Sequence, residues 1–382
     1  MIQNKDIVIV STMQYHELPT RKQRIASLLS KSNRVLYIEP PSTYLSVMLH
    51  GKNKEQKHEI DSSIDLTIAS LPTIFPFGLR SAFIHRRNQS KILKYMKRIL
   101  ETHGFNPDIV WFYLVDYPAL ASMCPQATVV YDCVDDHSAY PGLRSATFVD
   151  ALEKELVQSS DLVFATTDAL VEKLESYGKN VFLVPNGVEY SLYQSWNGQS
   201  PAFLKDIPHP VIGYMGALKE WFDVDFILVL AKAFPDVHIV LAGPSSSAFT
   251  AQFSNHPRIH FPGSIPPNEV PSWIGTFDVC LIPFLQNNLT LHISPLKFFE
   301  YCAMGKPCVS IPIHQLEQYN HIAYLYHTHE EGIQMVQKAL EEKEIQKKET
   351  RLQIAKAASW DDKLAFILKQ IEEKLLTSKS SP

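Results

Sequence analysis

A lysine and a glutamate three residues apart, Lys297 and Glu300, form the pair most suited to ligand chemistry. The surrounding sequence predicts a short helix, with Ser294 as N-cap, Pro295 at the first helical position and Gly305 as the stop. The amino end of a helix attracts anions, so this lysine suits a diphosphate and the carboxylate suits the hydroxyl groups of a ribose. A nucleotide sugar has both groups. The alternative is a surface ion pair on an ordinary amphipathic helix.

The helix must also be anchored in a core. Its predicted apolar stripe consists of Leu296, Phe299 and Ala303, and the following run at 308–311 is predicted to be a buried strand.

Carboxylates follow two predicted strands in the first half, at 108–116 and 127–132. The carboxyl ends of parallel strands are where open α/β sheets bind ligands. The candidates for orienting or deprotonating an acceptor hydroxyl are Asp132, Asp135, Asp136 and His137. The alternative is turn capping by aspartates beside one exposed histidine. We expect no metal site, because three carboxylates alone underdetermine one.

The loop after the first predicted strand contains no glycine, and the first glycine of the chain is Gly51. This argues against a dinucleotide-binding Rossmann domain, whose glycines let a pyrophosphate approach the backbone. Arg21, Lys22 and Arg24 begin the next helix and have two interpretations, facing the interdomain cleft or facing solvent; for the first two we expect solvent.

Residues 80–98 hold seven cations interleaved with apolar residues and no acid. Two interpretations are open: a cationic amphipathic helix resting on an anionic membrane surface, or the solvated face of an ordinary helix.

Composition limits the class of protein. A length of 382 residues suggests two domains, and a net charge of -4 gives no indication of nucleic-acid binding. The five cysteines have no paired spacing, which fits reduced thiols in a cytoplasmic protein. Signal-peptide and membrane-span patterns are missing, so we expect a cytoplasmic protein, at most peripheral at the inner face of the membrane.

Strand and helix patterns alternate through both halves, which predicts an α/β protein with two Rossmann-like, doubly wound parallel-sheet domains. We place the first domain at 1–190, a linker at 191–210, the second domain at 211–358 and a final helix at 359–382.

Two stretches resemble the GT-B-fold glycosyltransferases of family 4. Residues 300–309, EYCAMGKPCV, are similar to the family's E-A-M-A-x-G-x-P-V segment, whose glutamate holds the ribose, and residues 185–189, PNGVE, are similar to its P-N-G-V-D. Among bacterial members the chain most resembles the teichuronic-acid type. The resemblance implies a GT-B fold with two domains facing across a cleft and a last helix that returns to the first domain.

The resemblance also implies a donor site. Its residues would be Gly216, Lys219, Ser264, Ile265, His292, Ser294, Pro295, Leu296, Lys297 and Glu300. The chain departs from the family at Ala217, where an arginine is usual, at Val134, where a histidine is usual, and at His292, where a glutamate is usual.

The implied activity is transfer of a sugar from a nucleoside-diphosphate sugar to a glycan or lipid-linked acceptor, with retention of configuration and without metal or cofactor. Two alternatives stay open. One is a catalytically silent scaffold that binds nucleotide sugars, and the other is a nucleotide-sugar epimerase of the same fold.

Overall fold

The computed structural model describes residues 2–16, 20–50, 58–61, 64–139, 145–253, 256–287, 290, 293 and 295–378. The chain divides into two compact units. The first comprises Met1–Pro185 with Leu364–Pro382, and the second comprises Asn186–Lys363.

The first unit is built on an eight-stranded sheet in the order β3-β4-β2-β1-β5-β6-β7-β8. Its strands are β1 (Asp6–Val10), β2 (Arg34–Glu39), β3 (His58–Asp61), β4 (Leu66–Ser70), β5 (Ile109–Phe112), β6 (Thr128–Cys133), β7 (Leu162–Ala165) and β8 (Phe182–Leu183). Neighbouring strands are parallel except for β3 and β4. Strands β1 and β5 are completely apolar and buried from Ile7 and Ile109 onward, as expected for a parallel sheet covered on both faces.

Strand β3 was not predicted, because its sequence, HEID, is mostly polar. It pairs antiparallel with β4 and occupies the end of the sheet order. A polar composition is usual for such an edge strand, because one side of it is left without a neighbouring strand.

The helices of the first unit are α1 (Arg21–Leu29), α2 (Tyr44–His50), α3 (Ala82–His103), α4 (Ala146–Ser159) and α5 (Asp168–Glu175). Helix α3 contains most of the cationic segment. Its apolar residues Ile92, Tyr95 and Ile99 are buried in the core, so they are not available to a membrane. Its cations and Phe83, which is 75% exposed, form the outer surface.

The second unit has a six-stranded parallel sheet in the order β11-β10-β9-β12-β13-β14. Its strands are β9 (Val211–Met215), β10 (His238–Ala242), β11 (Ile259–Gly263), β12 (Val279–Ile282), β13 (Cys308–Ser310) and β14 (Ala323–Leu325). Its helices are α6 (Tyr190–Gln194), α7 (Val224–Ala233), α8 (Ser247–Ala251), α9 (Val270–Thr276), α10 (Leu296–Ala303), α11 (His329–Leu340) and α12 (Ile345–Ala357).

The last helix, α13 (Trp360–Ser378), joins the core of the first unit. Leu364, Ile367 and Ile371 pack there with buried residues of the first sheet, such as Val35 and Trp111. This confirms the predicted return of the carboxy-terminal helix. Among the helices of the described segments, none is long and apolar enough to cross a membrane.

Candidate functional site

The second unit brings two elements of the predicted donor site to one edge of its sheet. Strand β9 pairs with β10 on one side and with β12 on the other, so the order of the strands reverses beside β9. Gly216 follows β9, and helix α10 follows the loop after β12. In open α/β sheets, the crevice at such a reversal is where ligands bind.

Only glycine fits at position 216. Its φ of +146° is a conformation that L side chains rarely adopt, and a Cβ atom there would lie 2.3 Å from Cε of Lys297. The N–H of Gly216 donates to the carbonyl of Ala242 at 2.8 Å, which fixes this turn against the end of β10. Gly243 is equally constrained, because a Cβ atom there would lie 1.9 Å from the carbonyl oxygen of Gly216. The lysine therefore lies directly over the bare backbone of the β9 loop.

Lys297 is a half-buried cation without a counter-ion. Its Nζ lies 5.6 Å from the ring centre of Tyr214 and 5.7 Å from that of Phe284. Among the described residues, no carboxylate lies within ion-pair distance of this ammonium. Burial lowers the pKa of Lys297, and the nearby charge of Glu300 opposes that shift without cancelling it. An anionic ligand would supply the missing countercharge.

Tyr301 holds helix α10 in place from its buried side. Its hydroxyl donates to the carbonyl of Leu281 on β12 and accepts from the N–H of Met215 on β9, both at 3.2 Å. Gly305, with φ +65°, ends the helix as predicted. The guanidinium of Arg351 donates to the carbonyl of Gly305 at 3.3 Å and is itself fully buried against Glu342. The position of Lys297 is thus set by buried contacts of its helix with β9 and β12 and at the carboxyl end of the helix.

Two details of the predicted helix were wrong. Pro295 is the N-cap and helix α10 begins at Leu296, one residue later than expected. Leu296 is only half-buried, whereas Phe298, Tyr301 and Cys302 are buried, so the core stripe is wider and rotated relative to the prediction. Ser294 and His292 lie outside the described residues.

The remaining donor candidates lie on neighbouring loops. Lys219 is exposed, with its Nζ 5.5 Å from the ring centre of Trp221, and it lines a cavity of about 860 Å³ whose lining does not include Lys297. Ser264 is exposed after β11, and Ile265 is half-buried against the core. Direct contact therefore joins Gly216 to Lys297, while Lys219, Ser264 and Ile265 lie farther along the same edge.

The first unit has its own cavity, of about 610 Å³, at the corresponding edge of its sheet. Asp135 and His137 line it, together with Asp116 after β5 and Lys22 on α1. The rest of the lining is mostly proline, aromatic and aliphatic, with two threonines: Thr12, Met13, Pro40, Pro41, Thr43, Leu45, Ile74, Phe75, Pro76, Phe77, Gly78, Leu79, Leu114 and Tyr117. The structure thus brings two of the four predicted catalytic residues together.

Asp132 does not reach this cavity. It is completely buried, and its Oδ2 accepts from Nε of Arg21 at 2.8 Å. Nη1 of Arg21 donates in turn to the carbonyl of Val184 at 2.6 Å. The expected exposure of Arg21 and Lys22 was wrong, because they are only 4% and 6% exposed. Asp132 lies on β6, and its buried ion pair with Arg21 connects this strand to α1.

Asp136 faces a lysine on the neighbouring helix α5. Burial acts to raise its pKa, but hydrogen bonds from Lys173 and Ser138 outweigh it and lower the pKa. The same ammonium lies 3.0 Å from Asp150 and 2.9 Å from Glu153. Asp136 therefore belongs to a network of charges around Lys173.

One group of metal-ligating side chains, Cys133, His137 and Glu153, is present among the described residues, with ligand atoms within 4.8 Å of one another. Lys173 and the hydroxyl of Tyr131 already bind the carboxylate of Glu153. Burial and that carboxylate raise the pKa of Cys133 well above its ordinary value, which keeps it a thiol rather than the thiolate that binds metals. The cluster is better suited to hydrogen bonding than to holding an ion.

Sequence reasoning missed Lys22 as a site residue. The basic triplet at the start of α1 was the available signal, but it did not show which side chains turn inward.

Comparisons with known proteins relate the chain to a family and to a fold. Residues 209–342 match the family model described as glycosyl transferases group 1. The chain is 26% identical over 325 residues, 79% of each protein, to TuaH of Bacillus subtilis strain 168, a glycosyltransferase assigned to teichuronic acid biosynthesis.

Two solved structures show the same fold. Sucrose-phosphate synthase of Thermosynechococcus elongatus has a TM-score of 0.69 and 13% identity, with 99% of this chain and 100% of that chain covered. Anabaena HepE in complex with UDP and glucose has a TM-score of 0.66 and 16% identity, with 98% and 100% covered. The chain therefore has the GT-B fold, contains a segment at 209–342 that is similar to the group 1 glycosyl transferases, and is a distant relative of TuaH.

Proposed function

We propose that this chain transfers a sugar from a nucleoside-diphosphate sugar to a hydroxyl group of a glycan or lipid-linked acceptor, in the synthesis of a bacterial cell-surface polysaccharide. In this proposal the second unit binds the donor and the first unit presents the acceptor. The family match, the assignment of TuaH to teichuronic acid synthesis and the UDP and glucose bound to HepE support it.

The observation that carries the proposal is the uncompensated ammonium of Lys297 above the backbone of Gly216. A diphosphate placed there would meet this ammonium, the bare backbone of the β9 loop and the amino end of α10. Glu300 lies one turn farther along α10, within reach of the ribose hydroxyls of the same ligand.

The chemistry follows from the charge that develops during transfer. As the bond between the sugar and the diphosphate breaks, negative charge grows on the phosphate oxygens and positive character grows on the sugar ring. Preorganised cations and helix dipoles at the phosphate stabilise that separation, so Lys297 lowers the barrier without a metal ion. We propose retention of the anomeric configuration, on the basis of family resemblance.

At the acceptor end, Asp135 and His137 are the groups that line the cavity of the first unit. A carboxylate or an imidazole within hydrogen-bond reach of the acceptor hydroxyl could orient it and receive its proton. Asp132 and Asp136 are committed to Arg21 and Lys173, so we assign them no direct role.

A nucleotide-release assay tests the proposal. Uridine, guanosine, adenosine and thymidine diphosphate sugars would be screened with and without an acceptor fraction from cell envelopes. We expect release to depend on the acceptor. Conversion of a donor without acceptor would indicate an epimerase, and binding without any conversion would indicate a silent scaffold. Either result would contradict the proposed transfer.

We further propose that the chain works in the cytoplasm, at the inner face of the membrane, through residues 80–98. The exposed cations of this surface are Arg80, Arg86, Arg87, Lys94, Lys97 and Arg98. Exposed apolar side chains lie in the same unit: Tyr44, Met48, Leu49, Phe75, Phe77 and Phe83. Arg87 lies 5.3 Å from the ring centre of Phe75, and Lys91 lies 5.1 Å from that of Tyr44, which links the two sets. Charge attraction by such a surface amounts to about 1 kcal/mol per cation near anionic lipid.

Co-sedimentation with vesicles tests this surface. We expect binding to vesicles that contain phosphatidylglycerol, little binding to pure phosphatidylcholine, and a loss of binding in a variant with Arg86, Arg87 and Lys94 changed to glutamine. A matched variant would change the exposed cations Lys154, Lys232 and Lys338 instead. Equal loss in both variants, or no dependence on lipid charge, would overturn the membrane proposal.

A further inference from the structure

Lys22 is a buried cation that lines the cavity of the first unit. It is the second residue of helix α1, which follows the loop after β1, and it is only 6% exposed. Strand β1 lies between β2 and β5 at the point where the strand order of the first sheet reverses. The helix also places its positive end near this ammonium.

No described side chain pairs with Lys22. Its Nζ has neither a hydrogen bond nor an ion pair among the described residues, and it lies 5.8 Å from the ring centre of Tyr113. Burial lowers the pKa of Lys22, while the charges of Asp135 and Asp132 act in the opposite direction from beyond ion-pair distance. A cation this buried is normally paired, because removal from water is costly.

The neighbouring residue shows how this fold pairs a structural cation. Arg21 is equally buried, but its guanidinium is 2.8 Å from a carboxylate oxygen of Asp132 and 2.6 Å from the carbonyl oxygen of Val184. Among the residues that the structure describes, Lys22 has no such partners, and it lines the cavity instead. The difference indicates that the partner of Lys22 is a ligand.

The rest of the lining suggests the kind of ligand. Asp135, Asp116 and His137 contribute polar groups to the lining, and the prolines, Phe75 and Phe77 contribute apolar surface, called here the apolar wall. Phe75 and Phe77 are also 42% and 44% exposed, so this wall continues onto the outer surface. An acceptor with a charged group, sugar-like hydroxyls and an apolar part would use all three regions.

We infer that the acceptor carries an anionic group, phosphoryl or carboxylate, that Lys22 binds in this cavity. The inference rests on the proposed function and names its acceptor class. Lys22 would position the acceptor and take no part in bond breaking at the donor. Its loss would therefore weaken acceptor binding and leave donor binding intact.

Calorimetry with matched probes tests the inference. The phosphoryl arm compares farnesyl phosphate with farnesol, and the carboxylate arm compares methyl glucuronide with methyl glucoside. Wild-type protein is expected to bind at least one charged probe about tenfold more tightly than its neutral partner, which is about 1.4 kcal/mol. That preference should disappear in Lys22→Gln, persist in Lys22→Arg, and be unaffected in Lys154→Gln, which removes an exposed cation of the same unit.

The two arms also identify which anion is bound. No preference for either charged probe in the wild type, or a preference that survives in Lys22→Gln, would overturn the inference. If Lys22→Gln does not fold, Lys22→Met replaces it in the same binding comparison, because methionine removes the charge and keeps an unbranched apolar side chain. Nucleoside diphosphate binding, measured on the same samples, should be equal in all variants. Its absence from the wild type would count against the proposed donor site and leave the anion result to stand alone.

Discussion

Each unit places a lysine at the carboxyl edge of its sheet, where the strand order reverses, but the two lysines are held differently. Lys297 lies over the backbone of Gly216 beside two aromatic rings, on a helix fixed by Tyr301. Lys22 lies beside the buried pair of Arg21 and Asp132. The first arrangement is built from a short sequence motif. The second depends on a partner 111 positions away in sequence. The comparison shows why Lys297 was predicted and the buried position of Lys22 was not: the residues that position Lys297 are close to it in sequence, whereas those that position Lys22 are not.

The largest expected effect is on the free energy of unfolding, and it concerns the buried pair of Arg21 and Asp132 beside Lys22. Asp132→Ala leaves the guanidinium of Arg21 buried without its carboxylate, which we expect to lower the free energy of unfolding by about 3–5 kcal/mol. Denaturant unfolding monitored by circular dichroism measures this. Asp135→Ala is the matched control, because its exposed carboxylate lines the cavity and should contribute little to stability. A stable Asp132→Ala variant without turnover would restore Asp132 as a catalytic residue and break the comparison.

The next effect concerns Lys297 itself. Lys297→Met removes the cation that meets the developing negative charge, so we expect turnover to fall about 10²–10³-fold, as for other preorganised groups of this kind. The nucleotide-release assay measures it with the donor that the wild type accepts. Lys232→Met removes an exposed cation from the same unit and should keep wild-type turnover. Equal turnover in all three proteins would remove Lys297 from the site.

A smaller effect is expected one turn along the same helix. Glu300→Gln keeps the size of the side chain but weakens its hydrogen bonds to ribose hydroxyls, so we expect the donor KM to rise about 5–10-fold, which is about 1 kcal/mol. The kcat should change less than the KM. A donor with a deoxyribose would sharpen the result, since the variant should lose less of its affinity for that donor. An unchanged KM would show that Glu300 does not contact the ribose.

The smallest expected effect is on the pH dependence of the free energy of unfolding. The pKa of Lys297 lies below its ordinary value of 10.5, because burial disfavours the charged form. The native state therefore binds this proton more weakly than the unfolded state does, and the charge destabilises the fold at neutral pH. Lys297→Met should be more stable than the wild type by about 0.5 kcal/mol near pH 7. That gain should shrink as the pH rises toward 10.5, where the wild-type lysine loses its proton. Thermal unfolding from pH 7 to 10.5 checks it, and a gain that grows with pH would contradict the assignment.

Much of the fold was predictable from sequence, because its strands are buried apolar runs and its helix ends carry glycine or proline. The end of α10 at Gly305 followed from such a signal, whereas the return of the last helix was implied by the family resemblance. Strand β3 did not, since an edge strand with polar residues has the composition of a loop.

The donor side of the site was predicted better than the acceptor side for a similar reason. Lys297 and Glu300 are neighbours on one helix, so their spacing shows that they share a face. The inward direction of Arg21 and Lys22 depends on the carboxylate of Asp132 and on a cavity whose other lining residues are distant in sequence. Neither is visible in the residues around them.

The most direct test of the central claim is binding of a nucleoside diphosphate to the second unit's lysine. Isothermal titration of UDP, GDP, ADP and TDP into wild-type protein and Lys297→Met would be compared at one salt concentration. We predict that one nucleotide binds the wild type and that its Kd rises at least about tenfold in the variant, because a buried charge-assisted contact is lost. An equal Kd in both proteins would contradict the claim that Lys297 holds the diphosphate.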